Sequence, residues 1–184
     1  LFRDVDVPRV PGRFLFVGRL NMQKGLADLL DALAWTPSDV ALEVVGEGDD
    51  AAALKARAES NGVAARVTWR GQLSRAAIAD AYHRAQAVVI PSREEGLGLV
   101  AVEAQLCRTP VIAYRSGGLP DVVSPEWGGT LVPAGDVRAL ADAIRHRHLA
   151  PDVTEELGSA ARARMLDRFS PSAVAATYRE IYRG

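Results

Sequence analysis

Short apolar runs alternate with segments of helical hydrophobic period along most of this 184-residue chain. The apolar runs predict strands at Phe14–Gly18, Ala41–Gly46, Arg66–Arg70, Ala87–Ile90, Val111–Tyr114 and Gly129–Val132. The periodic segments predict helices at Lys24–Trp35, Asp50–Asn61, Ser74–Arg84, Leu99–Cys107, Val137–His148, Thr154–Phe169 and Pro171–Tyr182. Because strands that alternate with helices pair in parallel, this order predicts an α/β fold. We expect a doubly wound parallel sheet of about six strands with helices on both faces.

The composition and the leading segment fit a single domain. Residues 1–12 carry two prolines and one glycine with little periodicity, so we expect a linker there and one domain over residues 13–184. The net charge of −1 offers no positive excess for nucleic acid or anionic lipid. Cys107 is the only cysteine and cannot form a disulfide within the chain, which fits a reducing, cytoplasmic location. No uncharged apolar run approaches the ~18 residues of a membrane span.

Ligands of doubly wound folds bind outside the carboxyl ends of the strands. This rule selects five loops, at 18–24, 46–50, 70–74, 91–98 and 114–121. Ligand-binding residues are therefore expected among the side chains and glycines of these loops.

One of the loops carries a glycine pattern of the kind found at dinucleotide sites. Residues 46–51 read GEGDDA between a strand and a helix, which matches G-x-G-x-x-A. Glu47, Asp49 and Asp50 would repel a pyrophosphate at that helix N-terminus, and residues 66–72 offer no acidic side chain for the ribose. We therefore favour a tight turn, and we keep a NAD-dependent oxidoreductase domain as an alternative.

The loop after the first strand combines cationic side chains with glycines. Gly18 and Gly25 flank a segment that contains Arg19 and Lys24, and Lys24 is one of only two lysines in the chain. An arginine fork and a mobile ammonium group both suit phosphate oxygens, and flanking glycines let a ligand approach the backbone. Solvated surface charge is the alternative, because most Arg and Lys side chains lie on the surface.

Two glutamates flank the start of the helix predicted after the fourth strand. Glu103 stands among valines and alanines, so its burial would require hydroxyl, amide or cationic partners. Glu95 precedes it by eight positions, which would separate the two by about 12 Å in a continuous helix. This spacing suits an elongated ligand with hydroxyls at both ends better than an acid–base pair. Favourable interactions with the helix dipole and a salt bridge are the alternative roles.

Together these segments resemble the family 4 glycosyltransferases, the glycosyl transferases of group 1. The resemblance rests on Glu95-x7-Glu103 within EGLGLVAVEA, on GRL and KG at 18–25, and on VVGEG at 44–48. It continues through VTWRGQLS at 67–74, AVVIPS at 87–92, TPVIAYRSGGLPDVV at 109–123 and GGTLVPAGD at 128–136. Members have the GT-B architecture, two Rossmann-like domains that face each other across a cleft. The matching region is the C-terminal, donor-binding domain alone, without the N-terminal acceptor domain.

The resemblance implies a retaining, metal-independent transfer of a hexose from a UDP-, GDP- or ADP-linked donor to a glycan, lipid or small-molecule acceptor. Arg19 and Lys24 would hold the donor diphosphate. Glu95 would contact hydroxyls of the donor sugar, and Glu103 would contact those of the ribose. No cofactor beyond the donor and no metal ligand is implied. The remaining nucleotide-binding positions that it implies are Gly18, Gly46, Arg70, Leu73, Gly96, Leu97, Gly98 and Leu99.

The absent acceptor domain and a few unusual residues qualify these expectations. We expect this chain alone to bind nucleotide but to transfer no sugar, and any peripheral membrane contact to belong to the absent half. Leu97 and Asp121 replace a common Phe and Glu, which leaves the identity of the donor open. Arg108 stands where the family often has glycine, so we expect the turn there to differ. A non-catalytic interaction module on the same fold is the second alternative.

Overall fold

Six parallel strands form one sheet in the computed structural model, which describes residues 7–150 and 154–170 and the single positions 2, 5, 172, 173, 175 and 179. The strands are β1 (Arg13–Val17), β2 (Ala41–Val45), β3 (Val67–Trp69), β4 (Ala87–Ile90), β5 (Val111–Tyr114) and β6 (Thr130–Val132). Their order across the sheet is β3-β2-β1-β4-β5-β6, and every neighbouring pair is parallel. The predicted doubly wound fold is confirmed.

Helices connect the strands within the residues that the structure describes. They are α1 (Leu26–Leu33), α2 (Ala51–Ser60), α3 (Arg75–Arg84), α4 (Leu99–Leu106), α5 (Leu119–Val122), α6 (Val137–Leu149) and α7 (Thr154–Phe169). None of the described helices has the length and apolar character needed to cross a membrane. The helix predicted at Pro171–Tyr182 falls mainly outside the described residues.

The core has two layers, one on each face of the sheet. On one face, Phe14 and Leu42 of the sheet pack with Leu29 of α1, Leu54 of α2 and Ile144 of α6. The opposite layer joins the sheet to α3, α4 and α7, and its buried members include Leu15, Val88, Tyr82, Ala101 and Met165. Alternate residues of each strand face opposite layers, which is why the strands are apolar on both sides. Because both faces of the sheet are covered, the ends of the strands are where the sheet meets solvent.

The residues just before β1 are fastened to the domain. The guanidinium of Arg9 donates to the carbonyls of Ala85 (2.9 Å) and Arg108 (2.6 Å). The Val10 N–H donates to the Arg84 carbonyl at 2.9 Å, and the Gly12 N–H donates to the Gln86 side chain at 2.7 Å. This part of the predicted linker therefore docks on the ends of α3 and α4.

The turn after α4 keeps the left-handed geometry despite its arginine. Arg108 has a φ of 59°, and it is the only residue other than glycine with positive φ among those described. Its N–H donates to the Gln105 carbonyl and the Thr109 N–H donates to the Ala104 carbonyl, both at 2.9 Å. This pair of hydrogen bonds is the Schellman motif that ends many helices. The expectation that the turn would differ was therefore wrong, because the backbone retains the turn and tolerates the strain.

We expect Arg108→Gly to stabilise the domain relative to Arg108→Ala. Both variants lose the arginine side chain beyond Cβ, but only alanine keeps the Cβ, which disfavours the left-handed conformation. The difference in unfolding free energy should be about 0.5–1 kcal/mol in favour of glycine, after its larger chain entropy is subtracted. Urea denaturation of the two variants measures this difference directly. Equal stabilities would show that the turn carries no strain.

Candidate functional site

The candidate residues lie in loops at the carboxyl edge of the sheet. β1 lies between β2 and β4, so successive connections run to opposite sides of β1. A crevice outside the strand ends is expected at such a switch point. The loops that follow β1 and β4 meet there, with the loops after β2 and β3 on one side and the loop after β5 on the other.

A short turn after β1 presents the first cation of the site. The Asn21 side chain accepts a hydrogen bond from the Lys24 N–H at 3.2 Å and caps a 3-10 helix over Met22–Lys24. Gly25, with a φ of 68°, ends this turn and starts α1. The Lys24 Nζ lies 2.7 Å from Glu95 Oε2, with 28% and 16% of the two side chains exposed. The structure thus brings two of the three predicted catalytic residues into direct contact.

The loop that carries Glu95 is hydrogen-bonded to its neighbours on both sides. The Arg93 N–H donates to the Gln23 carbonyl at 2.9 Å, which joins this loop to the β1–α1 loop. On the other side, the Gly118 N–H donates to the Glu95 carbonyl at 3.1 Å. These contacts hold the Glu95 backbone in place, although it lies in a loop rather than in a regular element.

Glycines permit these loops to touch. A Cβ on Gly25 would lie 1.9 Å from the Pro91 carbonyl oxygen, and one on Gly117 would lie 1.7 Å from the Glu95 carbonyl oxygen. No Cβ could occupy either position without displacement of the backbone. The sequence interpretation assigned Gly25 to close approach by a ligand, but the close neighbour of Gly25 is the Pro91 backbone.

A cleft of about 270 Å³ opens at the carboxyl ends of β1, β2 and β3. It brings together four of the predicted site residues: Gly18, Arg19, Gly46 and Leu73. Gln72 and Ile78 also line it, and sequence reasoning did not single them out. Arg19 is exposed at this cleft. The remaining lining residues are Val17, Val45 and Glu47.

Arg70 has a charged partner that the sequence did not reveal. Its Nη1 lies 3.1 Å from Oε1 of Glu43, whose side chain is only 4% exposed in the middle of β2. Arg13 forms a second ion pair with the same carboxylate. An unpaired carboxylate buried in a strand would be costly, and the two arginines compensate it. A contact between Arg70 and a nucleobase therefore stays a prediction, since the guanidinium is already engaged.

Glu103 has the hydroxyl partner that its apolar surroundings required. The Tyr82 hydroxyl donates to Glu103 Oε2 at 3.1 Å, from α3 to α4. Burial raises the pKa of Glu103 above its ordinary value, while this hydrogen bond and the charge of Arg75 act in the opposite direction. The side chain is half-buried, so it keeps access to solvent. Tyr82 was not a candidate from sequence, because nothing in the spacing of α3 identifies its partner.

The glycine-rich start of α4 lies between the two glutamates. Gly96 is exposed and Gly98 has a φ of 70°, and α4 begins at Leu99. Leu97 and Leu99 expose 57% and 61% of their surface, which is unusual for leucine. The first N–H groups of a helix have no partner within it and favour anions. This segment therefore offers backbone donors and exposed apolar side chains at one place.

A further polar network supports the β4–α4 loop. Asp28 is 8% exposed, and its carboxylate accepts hydrogen bonds from the Arg93 guanidinium at 2.9 and 3.1 Å. The Tyr114 hydroxyl donates to the same carboxylate at 3.1 Å. The network fastens the start of the loop to α1 and β5. The sequence offered no signal for it, because its members are 21 to 86 positions apart.

The glycine pattern at 46–51 serves contact between loops. A Cβ on Gly46 would lie 1.9 Å from the Gly18 carbonyl oxygen, and one on Gly48 would lie 2.3 Å from the Leu20 carbonyl oxygen. The Leu20 N–H donates to the Glu47 carbonyl at 2.9 Å. The pattern also follows β2, whereas a dinucleotide fingerprint occupies the turn after the first strand. The geometry supports the tight-turn interpretation and argues against the oxidoreductase alternative.

A comparison with protein families decides the class of protein. Residues 3–164 match the family described as Glycosyl transferases group 1. This chain belongs to that family. The match spans all six strands and the loops of the candidate site, and it confirms the family that the sequence motifs indicated.

Individual relatives agree with this membership. The chain is 38% identical over 180 residues to a D-inositol 3-phosphate glycosyltransferase of Segniliparus rotundus, covering 92% of this chain and 40% of the relative. Among solved structures, a sucrose-phosphate synthase of Thermosynechococcus elongatus has a TM-score of 0.87 at 35% identity, over 99% of this chain and 49% of that one. Anabaena Alr3699/HepE, solved in complex with UDP, has a TM-score of 0.87 at 28% identity, over 94% and 49%. The chain thus spans less than half the length of these three proteins.

Proposed function

We propose that this chain is the nucleotide-sugar-binding domain of a retaining glycosyltransferase that moves a hexose from a nucleoside diphosphate to an acceptor. The observation that carries the proposal is the contact between Lys24 and Glu95, at 2.7 Å, which joins the loops after β1 and β4. A cation for the diphosphate and a carboxylate for sugar hydroxyls thus lie side by side. A structural neighbour was solved in complex with UDP, which supports a nucleoside diphosphate as the ligand class.

Arg19 and Lys24 are the proposed diphosphate ligands. Arg19 is exposed at the cleft, and Lys24 ends a capped turn whose backbone is tied to the Glu95 loop. A guanidinium fork and an ammonium group would stabilise the negative charge that develops on the leaving diphosphate. The N-terminus of α4 would add partial positive charge. We propose that these groups replace a divalent cation, so that transfer is independent of metal.

The other predicted residues divide between sugar and nucleoside. Glu95 would accept hydrogen bonds from donor-sugar hydroxyls, together with backbone N–H groups of residues 96–99. Glu103 would accept hydrogen bonds from the ribose hydroxyls. An ionised carboxylate only accepts hydrogen bonds, and this half-buried side chain keeps access to solvent. The cleft between Gly46 and Leu73 would receive the base. No protein nucleophile is assigned, and the leaving phosphate itself would assist removal of the acceptor proton with retention.

The acceptor side of the reaction is proposed to reside outside this chain. The chain covers 40% of the Segniliparus relative and about half of the solved neighbours. We expect it to bind the nucleotide and to transfer no sugar alone. A glycan, lipid or small molecule would bind opposite the cleft, and the compartment would be cytoplasmic. Measurable sugar transfer by these 184 residues alone would contradict the proposal that the acceptor binds outside this chain.

A thermal-shift panel with UDP, GDP, ADP and NAD tests the proposal, with and without magnesium. Ligand at about 100 times its dissociation constant adds about 2.7 kcal/mol, which raises the Tm of a domain of this size by several degrees. We expect a shift with at least one nucleoside diphosphate that magnesium does not enlarge. A shift only with magnesium would overturn metal independence, and no shift with any diphosphate would overturn donor binding.

A further inference from the structure

A buried tyrosine meets the carboxylate proposed to bind the ribose. Tyr82 is fully buried, and its hydroxyl donates to Glu103 Oε2 at 3.1 Å across the interface of α3 and α4. Among the described residues, this hydroxyl is the hydrogen-bond partner that the structure gives the Glu103 side chain. One carboxylate oxygen is thereby fixed from within the protein, and a ligand can approach the other.

The tyrosine is itself held rigidly. The Thr109 hydroxyl donates to the Tyr82 carbonyl at 2.7 Å, and Arg9 Nη1 donates to Thr109 Oγ1 at 3.1 Å. Thr109 follows the turn that ends α4, so the end of the helix that carries Glu103 is tied to the residue that contacts Glu103. Phe2 packs on the Tyr82 ring with a centroid separation of 6.0 Å. The ring therefore has little freedom to move away from the carboxylate.

The hydrogen bond from Tyr82 favours the ionised form of Glu103, against the larger effect of burial. Burial, with the adjacent Glu103 charge, raises the pKa of Tyr82 far above its ordinary value, so the phenol stays protonated and can only donate to a carboxylate. Burial also raises the pKa of Glu103, and the phenol opposes that rise. The other charged or titratable groups that act on Glu103 or Tyr82 are Arg75 on α3 and Cys107 at the end of α4. Arg75 favours the ionised carboxylate, and Cys107 stays a neutral thiol because burial raises its pKa.

We infer that Tyr82 is a positioning residue for nucleotide binding: its hydroxyl orients the Glu103 carboxylate for the two ribose hydroxyls. This inference rests on the proposed function and names a residue that the proposed ligand set lacks. A hydroxyl donor on a ligand gains most from an ionised acceptor whose orientation is already fixed. From its buried position, Tyr82 fixes the orientation of the carboxylate, and its hydrogen bond opposes the rise in the pKa of Glu103.

Tyr82→Phe tests the inference, because phenylalanine retains the buried ring and removes only the hydroxyl. The probes are UDP, GDP and ADP and their 2′,3′-dideoxy forms, titrated by calorimetry from about pH 8 to about pH 5. We expect Tyr82→Phe to weaken binding of the ribose form about fivefold near neutral pH, and the dideoxy form by much less. The loss should deepen as the pH falls, because the Glu103 carboxyl of the variant takes up its proton at higher pH.

Two further variants separate positioning from general damage. Tyr114→Phe removes a buried tyrosine hydroxyl from a different carboxylate, that of Asp28, and should leave the ratio of ribose to dideoxy affinity unchanged. In a Glu103→Gln background, Tyr82→Phe should have little further effect, because the ionisable group on which it acts is absent.

A carbon-13 titration of the Glu103 carboxyl without nucleotide should report a higher pKa in Tyr82→Phe than in the wild type.

The outcomes distinguish this inference from the proposed function. Equal affinities of wild type and Tyr82→Phe for the ribose nucleotide at every pH would overturn the positioning role alone. An equal loss for ribose and dideoxy forms would also overturn it, since that result indicates general damage. Failure of the wild-type chain to bind any of the three diphosphates would overturn the proposed function, and the inference with it.

Discussion

Lys24→Ala is expected to weaken the binding of a nucleoside diphosphate by about 10- to 100-fold. A hydrogen-bonded contact to a charged group contributes about 1.5–3 kcal/mol, which converts to that range of affinity. The variant also leaves Glu95 without its partner at 2.7 Å, and only 16% of that side chain is exposed. The carboxylate would then repel the diphosphate across a poorly solvated gap, which places the effect toward the upper end.

The other lysine of the chain provides a matched control. Lys55 lies on the exposed side of α2, with its ammonium group 5.8 Å from the centre of the Trp69 ring. Lys55→Ala removes the same charge and should change the affinity by less than about twofold. Calorimetric titration of both variants provides the measurement. If the two variants lose affinity equally, the effect comes from net charge and Lys24 has no specific role.

The double variant with Glu95→Gln tests the repulsion separately. Glu95→Gln alone should bind a nucleoside diphosphate at least as tightly as the wild type, because Lys24 is then released from its ion pair. Added to Lys24→Ala, it should restore part of the lost affinity, since the unpaired carboxylate is removed. If the sugar of a nucleotide sugar increases its affinity over that of the nucleoside diphosphate, Glu95→Gln should remove this increase. Loss of diphosphate affinity in Glu95→Gln would contradict this assignment.

Gly25→Ala is expected to lower the unfolding free energy by about 3–5 kcal/mol, or to prevent folding. The φ of Gly25 is 68°, and an added Cβ would lie 1.9 Å from the Pro91 carbonyl oxygen. Neither backbone can yield without disturbing the loops that carry Lys24 and Glu95. The loss should therefore combine the net cost of the left-handed conformation, about 0.5–1 kcal/mol, with a larger steric cost.

Gly62→Ala isolates the conformational part of this effect. Gly62 has a φ of 70°, close to that of Gly25, but an added Cβ there would meet nothing within 4 Å. We expect this variant to fold and to lose only the conformational part, about 0.5–1 kcal/mol after the larger chain entropy of glycine is subtracted. Urea denaturation followed by circular dichroism compares the two. Equal losses would show that the loop after β1 moves away from Pro91 at little cost.

The sequence by itself determined the order of the elements and the class of the fold. Strands and helices leave different hydrophobic periods in the chain, and those periods are local, so six strands and the described long helices were predictable within a few residues. The motif at Glu95 and Glu103 and the cationic loop at 18–25 likewise indicated the family that residues 3–164 match. The short helix α5 was missed, because four residues are too few to display a period.

Only the tertiary structure decided which side chains meet. Lys24 and Glu95 are 71 positions apart, and Tyr82 and Glu103 are 21 apart on different helices. Their contacts depend on the order of strands in the sheet and on the packing of helices over it, which no local period encodes. The same holds for Arg70, whose position after β3 suggested a ligand but whose guanidinium reaches a buried carboxylate on β2. A buried charge binds whichever opposite charge the fold brings near, because leaving it unpaired costs several kcal/mol.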